Sequence, residues 1–283
     1  MVQSLKSLIS ENSPLIAPLA YDGISARLVR SLEFKAAYIG SFAVSAAKYG
    51  LPDLGFVGLD DMADMVRRIA PIVEVPVIVD GESGFGNPIH VARTVQVLEQ
   101  AGASATHIED HTFGKHLGFP QVIPVEKAVD KIKAALDARS SDDFLIIARS
   151  DALVSEGEEA TIDRLLAYQE AGADALFLAR AQKPGEVQNK RLSEGSRVPI
   201  VMTNAPGWSA AELRAQGADV VLYPTTTYLA AESSMRRALE VLAAEASTVQ
   251  IDDDYKSFEE FDQFLGIDEY AAKARTLGLI PSN

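Results

Sequence analysis

Two carboxylates stand two positions apart, directly after an apolar run of the sequence. The run 75–79 reads Val-Pro-Val-Ile-Val, and Asp80 and Glu82 follow it, at the start of a loop that contains Gly81, Gly84 and Gly86. β-Branched apolar residues are typical of a buried parallel strand, in which alternate side chains point the same way. We therefore expect the two carboxylates to share a face, where their oxygens would suit Mg²⁺. The same residues are equally compatible with a strand that ends in a polar turn.

The elements that must position these carboxylates alternate along the chain. Short apolar runs typical of strands are separated by helix-length segments, and Gly102, Gly172 and Gly217 each stand where a helix should end before the next strand. A long loop through 51–55 is expected after the second strand. Strands are predicted at 15–21, 36–41, 75–80, 105–110, 144–150, 175–179, from 198 onward and at 220–224. Helices are predicted at 24–32, 59–73, 90–100, 125–139, 158–171 and 228–246, with further helical pattern at 258–277.

Eight strand–helix units in a chain of 283 residues predict an α/β fold, a (β/α)₈ TIM-type barrel. The alternative is an open doubly wound sheet, but no Gly-x-Gly-x-x-Gly motif follows the first strand. No linker or low-complexity segment interrupts the pattern. We therefore predict one barrel domain over 1–283, with a C-terminal helical extension at 228–283 that packs on a neighbouring subunit.

Reactive groups in such a barrel lie at the carboxyl ends of the strands, and this rule selects residues at the end of the second strand. Tyr38 lies near that end, and Gly40, Ser41 and Phe42 follow it. Small residues there expose backbone N–H groups, which could hold a substrate carboxylate.

The ends of the fourth and fifth strands add charged groups. Glu109 is expected within reach of the same ion as Asp80 and Glu82, directly or through its water. Arg149 is suited to a substrate carboxylate or phosphonate, because its guanidinium donates in a fork. Two alternatives stay open: Glu109 and Asp110 could form a solvated strand end, and Arg149 could be a structural partner of the carboxylates.

The four histidines are expected to have different roles. His90 opens a predicted helix and is expected to be a surface or capping residue. His107 is expected to be a structural hydrogen-bonding residue rather than a catalyst. His111 and His116 lie in a loop near the strand ends, where an imidazole could transfer protons.

The composition excludes several kinds of partner and site. The net charge is −14, so the chain has no basic surface for a nucleic acid. The absence of cysteine excludes disulfides, thiolate metal ligands and cysteine nucleophiles. No apolar run approaches the roughly 18 residues of a membrane span, and residues 1–12 have no signal-peptide pattern. We expect a cytoplasmic protein with no nucleic-acid or membrane partner.

Several motifs, taken together, resemble the isocitrate lyase/phosphoenolpyruvate mutase superfamily. They occur in the order seen in that superfamily, and the resemblance covers the chain up to about residue 246. The motifs are Tyr21-Asp22 with Ser25-Ala26-Arg27, Pro52-Asp53-Leu54-Gly55, Asp80-Gly81-Glu82-Ser83-Gly84-Phe85-Gly86, Ile108-Glu109-Asp110 and Ala148-Arg149-Ser150-Asp151.

The resemblance implies a barrel whose last helix is exchanged between subunits of a homotetramer, a dimer of swapped dimers. It implies that Asp80 holds Mg²⁺, or Mn²⁺ as a substitute, with Glu82, Glu109 and Asp53 contributing directly or through water. A 2-oxo or 2-hydroxy acid would chelate the ion, with its carboxylate on the backbone of residues 40–42 and Arg149 at its side. The chemistry shared by the superfamily is a pyruvate-type enolate that the metal stabilises.

Two departures from the superfamily pattern bear on the reaction. Glu82 stands where members usually have a second aspartate, and it keeps the charge on a longer side chain. Leu117 replaces the gate cysteine of isocitrate and methylisocitrate lyases, in the run Lys115-His116-Leu117-Gly118-Phe119. Isocitrate lyase chemistry of the usual kind is therefore not expected. The asparagine- or threonine-rich run of phosphonopyruvate-processing members is also missing.

The remaining resemblance is to the oxaloacetate decarboxylase-like subgroup, which lacks the gate cysteine. That subgroup uses a histidine after the last strand, where this chain has Thr225. The proton donor is therefore unassigned, with Tyr38, His116 and the neighbouring Lys115 as candidates beside Arg149.

We predict a Mg²⁺-dependent carbon–carbon lyase that acts on a small 2-oxo or 2-hydroxy dicarboxylic acid. It would resemble an oxaloacetate decarboxylase or a lyase of 2-alkylmalates or methylisocitrate. One alternative is a mutase or hydrolase that acts on the P–C bond of a phosphonopyruvate-type substrate. The other is a non-catalytic protein that binds a metal and an oxo acid.

Overall fold

Eight parallel strands form the centre of the structure, a computed structural model that describes residues 3–112, 116–117, 121–179, 190–252 and 256–281. The hydrogen-bonded order is β1-β8-β7-β6-β5-β4-β3-β2. Leu19 and Tyr38 form a bridge that joins the two ends of this order, so the sheet closes into a barrel. The predicted (β/α)₈ fold is confirmed. The strands are β1 (Leu15–Pro18), β2 (Ala37–Ile39), β3 (Val77–Asp80), β4 (Ala105–Glu109), β5 (Leu145–Ser150), β6 (Ala175–Leu178), β7 (Ile200–Thr203) and β8 (Val220–Tyr223).

Helices alternate with the strands along the chain. Gly102 ends one of them with φ 105°, a left-handed conformation that glycine adopts without strain. The helices are α1 (Leu5–Glu11), α2 (Gly23–Ser31), α3 (Ser41–Tyr49), α4 (Leu59–Val73), α5 (Pro88–Ala101), α6 (Val125–Ala138), α7 (Leu153–Glu156), α8 (Glu158–Glu170), α9 (Lys190–Gly195), α10 (Ala210–Ala215), α11 (Thr226–Glu245), α12 (Phe258–Leu265) and α13 (Ile267–Thr276).

Buried apolar residues lie on both sides of the barrel wall. Ile78, Ile147 and Phe177 belong to the cluster inside the barrel. Ile146 of β5 and Leu165 of α8 belong to the cluster between strands and helices. Because both faces of each strand are buried, the strand sequences are continuous apolar runs rather than alternating ones.

The structure differs from the sequence prediction mainly after the second strand. The segment 36–41 was expected to be a strand, followed by a long loop, but β2 ends at Ile39 and α3 begins at Ser41. The segment combines small and apolar residues, so its sequence pattern alone does not predict that a helix begins there. The short helices α1 and α7 were not predicted either, and Gly266 divides the expected helix 258–277 into α12 and α13.

The chain divides into two compact units, Met1–Tyr228 and Leu229–Asn283. The first unit contains the barrel. The second contains most of α11 with α12 and α13, and its exposed apolar side chains include Phe258, Tyr270 and Leu277. Exchange of this extension between subunits stays a prediction. Within the described residues, no helix combines the length and the apolar character needed to cross a membrane.

Candidate active site

Asp80 is the last residue of β3, and neighbouring groups hold both oxygens of its carboxylate. Ser41 donates to Asp80 Oδ2 from its hydroxyl at 2.9 Å and from its N–H at 3.3 Å. The N–H of Glu82 donates to Oδ1 at 2.8 Å. Because Ser41 opens α3, the negative carboxylate also lies at a helix N-terminus, where such a charge is favoured. The buried Asp80 is therefore fixed at the carboxyl end of the barrel.

The three residues predicted to hold a substrate carboxylate begin α3, beside Asp80. Gly40 is the N-cap residue and Ser41 and Phe42 form the first turn. A Cβ at Gly40 would lie 2.9 Å from Tyr38 Cε1, so the backbone approaches that ring closely. The half-exposed Phe42 packs edge-on against His116, with ring centroids 6.3 Å apart. The structure thus places all three beside the acidic group.

Glu82 reaches the site through a turn rather than through strand alternation. It lies beyond the end of β3 with φ 50°, in the left-handed region. The expectation that Asp80 and Glu82 lie on one face of a strand is therefore wrong, because Glu82 lies outside the strand. Their convergence depends on Gly81, where a Cβ would lie 2.5 Å from Thr106 Oγ1 and 2.7 Å from the His107 carbonyl oxygen.

Glu109 and Arg149 are direct neighbours on β4 and β5. Arg149 Nη1 lies 2.7 Å from Glu109 Oε1, and Nε and Nη2 donate to the carboxylate of Asp151 at 2.9 and 3.1 Å. Burial disfavours the charged guanidinium, but the carboxylates of Asp151, Glu109 and Asp80 outweigh it and hold the pKa of Arg149 well above its usual range. Arg149 is therefore a permanent cation. It is also a structural partner of the carboxylates, which is the alternative role that the sequence left open.

Tyr38 and His107 form a buried pair beneath the carboxylates. The Tyr38 hydroxyl and His107 Nε2 share a hydrogen bond of 3.0 Å. His107 Nδ1 lies 3.7 Å from both Asp80 Oδ1 and Glu109 Oε1. Burial, reinforced by the charge of Asp80, raises the pKa of Tyr38 well above its usual range. Tyr38 is therefore a neutral hydrogen-bonding partner at neutral pH.

His111 lies on the opposite side of Glu109 from Arg149. Its Nδ1 is 2.6 Å from Glu109 Oε2, and its Nε2 is 3.9 Å from Glu82 Oε2. Among the residues that the structure describes, two groups of buried side chains have potential ligand atoms within 4.8 Å of one another: Asp80 with His107 and Glu109, and Glu82 with Glu109 and His111.

Asp53 and His116 approach the site from two loops. His116 Nε2 lies 2.9 Å from Asp53 Oδ2, and Asp53 is buried. The side chain of His116 remains 44% exposed, so it is open to a bound molecule or to solvent. Lys115, the other candidate in this loop, lies outside the described residues.

Asp110 faces away from the barrel interior, because it follows Glu109 directly. Its carboxylate accepts hydrogen bonds from the Ser150 hydroxyl at 2.7 Å, the Tyr168 hydroxyl at 2.8 Å and the Asp151 N–H at 2.9 Å. Burial raises the pKa of Asp110, although these hydrogen bonds oppose the rise. The sequence interpretation missed Tyr168, whose only signal was a polar aromatic within the apolar pattern of α8.

Comparison with known proteins identifies the family to which this barrel belongs. Residues 5–243 match the family described as phosphoenolpyruvate phosphomutase. The chain belongs to the phosphoenolpyruvate phosphomutase family. The resemblance carried by the sequence motifs is therefore confirmed.

Members of this family with known activities match nearly the whole chain. The 2,3-dimethylmalate lyase of Eubacterium barkeri is 35% identical over 94% of this chain and 94% of its own length. A structure of oxaloacetate acetylhydrolase with the inhibitor 3,3-difluorooxalacetate is 27% identical, with a TM-score of 0.86 over 97% of this chain and 96% of that one. A phosphonopyruvate hydrolase in complex with oxalate and Mg²⁺ is 28% identical, with a TM-score of 0.87 over 99% and 100% of the two chains.

The donors of this phosphomutase-family site fit a divalent cation. Asp80, Glu82 and Glu109 are each less than a tenth exposed, and the charge of Arg149 acts on Glu109 and Asp80. Burying several carboxylates around one guanidinium leaves excess negative charge, which is costly unless a cation balances it. Carboxylate oxygens are the ligands that Mg²⁺ prefers.

Proposed function

We propose that this protein is a Mg²⁺-dependent carbon–carbon lyase that acts on a small 2-oxo or 2-hydroxy dicarboxylic acid. The observation that carries the proposal is the group formed by Asp80, Glu82, Glu109 and Arg149 at the carboxyl ends of β3, β4 and β5. Two family relatives that match nearly the whole chain are named for small dicarboxylic acids, 2,3-dimethylmalate and oxaloacetate. Candidate substrates are therefore oxaloacetate and 2-alkylmalates, with the tricarboxylic acid methylisocitrate as a further candidate because similar proteins are named for it.

The proposed ligands of the ion are Asp80, Glu82, Glu109 and Asp53, directly or through water. Bound Mg²⁺ would polarise the oxygen at C2 of the substrate and stabilise negative charge that develops there. Mn²⁺ is the alternative ion. The hydrogen bonds from Ser41 and the Glu82 N–H hold the carboxylate of Asp80 in a fixed orientation for this role.

The substrate carboxylate is proposed to lie on the first turn of α3, at Gly40, Ser41 and Phe42. The N-terminus of a helix attracts anions through its backbone N–H groups. Arg149 lies across the site, and its contacts with described residues use three of the five N–H groups of a guanidinium. This arrangement supports the proposal that Arg149 donates to the substrate while Asp151 and Glu109 hold its orientation.

His116 is the proposed proton donor in place of the missing gate cysteine. It is partly exposed, it contacts Asp53, and it packs against Phe42. Tyr38 suits this role less well, because its hydroxyl is bonded to His107 and its pKa is raised by burial. Lys115, next to His116 in sequence, remains a second candidate for closing the site.

Release of pyruvate tests this function. Oxaloacetate, 2-methylmalate, 2,3-dimethylmalate and methylisocitrate would each be incubated with the protein, with Mg²⁺ and separately with a chelator, and pyruvate measured with a coupled dehydrogenase. Metal-dependent pyruvate from one substrate supports the lyase. If no substrate is cleaved while oxalate still binds in calorimetry, the lyase proposal fails, and activity on a phosphonate or a non-catalytic binding role remains.

A second candidate function is cleavage or rearrangement of a P–C bond. The matching phosphonopyruvate hydrolase shows that a chain of this fold and similar sequence carries such an activity by name. ³¹P NMR of phosphonopyruvate with the protein separates the two functions. An unchanged phosphorus signal removes this candidate, whereas a new signal without pyruvate from the dicarboxylic acids would displace the lyase.

The assembly and location are further parts of the proposal. We expect a homotetramer in which the extension 228–283 is exchanged, and light scattering after size-exclusion chromatography would measure its mass. The expected compartment is the cytoplasm, in keeping with a chain that lacks cysteine.

A further inference from the structure

His111 follows β4 and lies next to the carboxylates of Glu109 and Glu82. It follows the end of β4 by two residues and forms an antiparallel bridge with Val122. This bridge fixes the backbone, so the imidazole is nine-tenths buried between Glu109 and Glu82. Its position is therefore set by the fold and not by the conformation of a free loop.

The length of Glu82 is part of this arrangement. The superfamily pattern has an aspartate at this position, which is one methylene shorter. The glutamate carries its Oε2 to 3.9 Å from His111 Nε2. The carboxylate of Glu82 and the imidazole of His111 therefore lie together on one side of Glu109.

The spacing of the donors suits one ion. The potential ligand atoms of Glu82, Glu109 and His111 all lie within 4.8 Å of one another. Ligand atoms about 2.1 Å from an octahedral ion lie roughly 3 to 4.2 Å apart, so small side-chain shifts would bring all three onto one centre. A related protein of the same fold holds Mg²⁺ with oxalate, which independently points to a divalent ion in this barrel.

We propose that His111 is a direct nitrogen ligand of the divalent ion, beside the carboxylates of the proposed site, and that it raises the affinity for Mn²⁺ more than the affinity for Mg²⁺. The proposal rests on the metal site of the proposed function. Imidazole is a good ligand for first-row transition ions, whereas Mg²⁺ prefers oxygen ligands and retains its water. His107 is less suited to the role, because its Nε2 is bonded to Tyr38 deeper in the barrel.

Spectroscopy of the protein with Mn²⁺ alone, without substrate, tests the ligand directly. Electron spin echo envelope modulation detects ¹⁴N bound to Mn²⁺. The wild type should show this coupling, His111→Gln should lose it, and His90→Gln should keep it. His90 is the matched control because it is an exposed capping residue of α5. Absence of the coupling in the wild type, or its persistence in His111→Gln, overturns the proposal.

Calorimetry gives the selectivity. His111→Gln should lower the affinity for Mn²⁺ about tenfold while changing that for Mg²⁺ less than about threefold. An equal loss for both ions would show that His111 only orients Glu109. If the variant does not fold, wild-type protein with ¹⁵N-labelled histidine replaces it, and an unchanged modulation pattern on labelling overturns the proposal.

These measurements separate the two proposals. A nitrogen ligand without turnover of any dicarboxylic acid would leave His111 assigned and remove the lyase. Turnover with Mg²⁺ and no nitrogen coupling with Mn²⁺ would support the lyase and remove His111 as a ligand.

Discussion

Arg149 and Glu109 are paired across β5 and β4, and Arg149 Nη1 meets Glu109 Oε1 at 2.7 Å. The other edge of the guanidinium is held in a fork by Asp151, and its plane lies over the Phe177 ring, 5.0 Å from the ring centroid. These contacts on three sides determine where the remaining N–H groups point. The guanidinium of Arg149 is therefore a rigid part of the site.

Replacement of Arg149 by lysine tests this rigidity. Lysine keeps the charge but has a single donor centre, so it cannot hold Asp151 in a fork and contact Glu109 together. We expect kcat/KM for the substrate found in the pyruvate assay to fall about 100-fold or more, because a displaced positioning group has effects of that size. Arg197→Lys is the control, since Arg197 forms an exposed pair with Glu170. Equal activity of both variants would contradict the role of Arg149.

Tyr168 stabilises the barrel wall behind the site, and its hydroxyl group can be removed without changing the ring. It is buried and donates to Asp110 Oδ2 at 2.8 Å. Tyr168→Phe leaves a buried carboxylate with one donor fewer, so we expect the free energy of unfolding in urea to fall by about 1–3 kcal/mol. Tyr270→Phe, at an exposed position of α13, should change it little. A loss equal in both variants would argue against the contribution of this hydrogen bond.

The barrel and the identity of its acidic residues could be predicted from the sequence, because they depend on local patterns. Apolar runs and helix-ending glycines mark the strands, and the barrel rule then places Asp80, Glu109 and Arg149 at one end. Contacts between distant segments could not be predicted. Tyr168 meets Asp110 across 58 residues of sequence, and the position of Glu82 depends on a left-handed turn that no local motif specifies.

The start of α3 shows the same limit at short range. Ser41 was predicted to end a strand and to lie near a substrate carboxylate, yet it begins a helix and donates to Asp80. The sequence predicts that Ser41 lies at the carboxyl end of the second strand but not that it begins a helix, because the helix is stabilised by tertiary packing rather than by its own periodicity. Its contact with a substrate stays a prediction.

Gly81 follows β3 directly, and its N–H donates to the carbonyl oxygen of His107 in β4 at 3.0 Å. A Cβ there would lie 2.7 Å from the His107 carbonyl oxygen, a backbone atom that cannot move without displacing β4. Gly81→Ala should therefore lower the free energy of unfolding by about 1–3 kcal/mol, and it should weaken metal binding in calorimetry by displacing Asp80 and Glu82. Gly23→Ala is the matched control, because the added Cβ would meet only Ile72 Cδ1 at an ordinary 3.9 Å. Wild-type stability of Gly81→Ala would show that the strands can separate at no cost.

Asp61 links α3 to α4 and should make stability depend on pH. Its carboxylate accepts hydrogen bonds from Lys48 Nζ and the Tyr49 hydroxyl, both at 2.6 Å, and from the Gly58 N–H at 2.9 Å. Burial raises the pKa of Asp61, but these three donors outweigh it and lower the pKa from 3.8 to about 2. Because the pKa is lower in the folded state, the ionised group stabilises the fold above the unfolded pKa, and this contribution is lost as the pH falls through the folded pKa.

Asp61→Asn should therefore be less stable than the wild type at neutral pH, and the difference should shrink between about pH 4 and pH 2. Urea unfolding at neutral pH and at about pH 2.5 measures the two differences. Asp130→Asn, at an exposed position of α6, should show a smaller difference at neutral pH. A deficit of Asp61→Asn that is the same at both pH values would mean that the asparagine disturbs packing and that the charge of Asp61 contributes nothing.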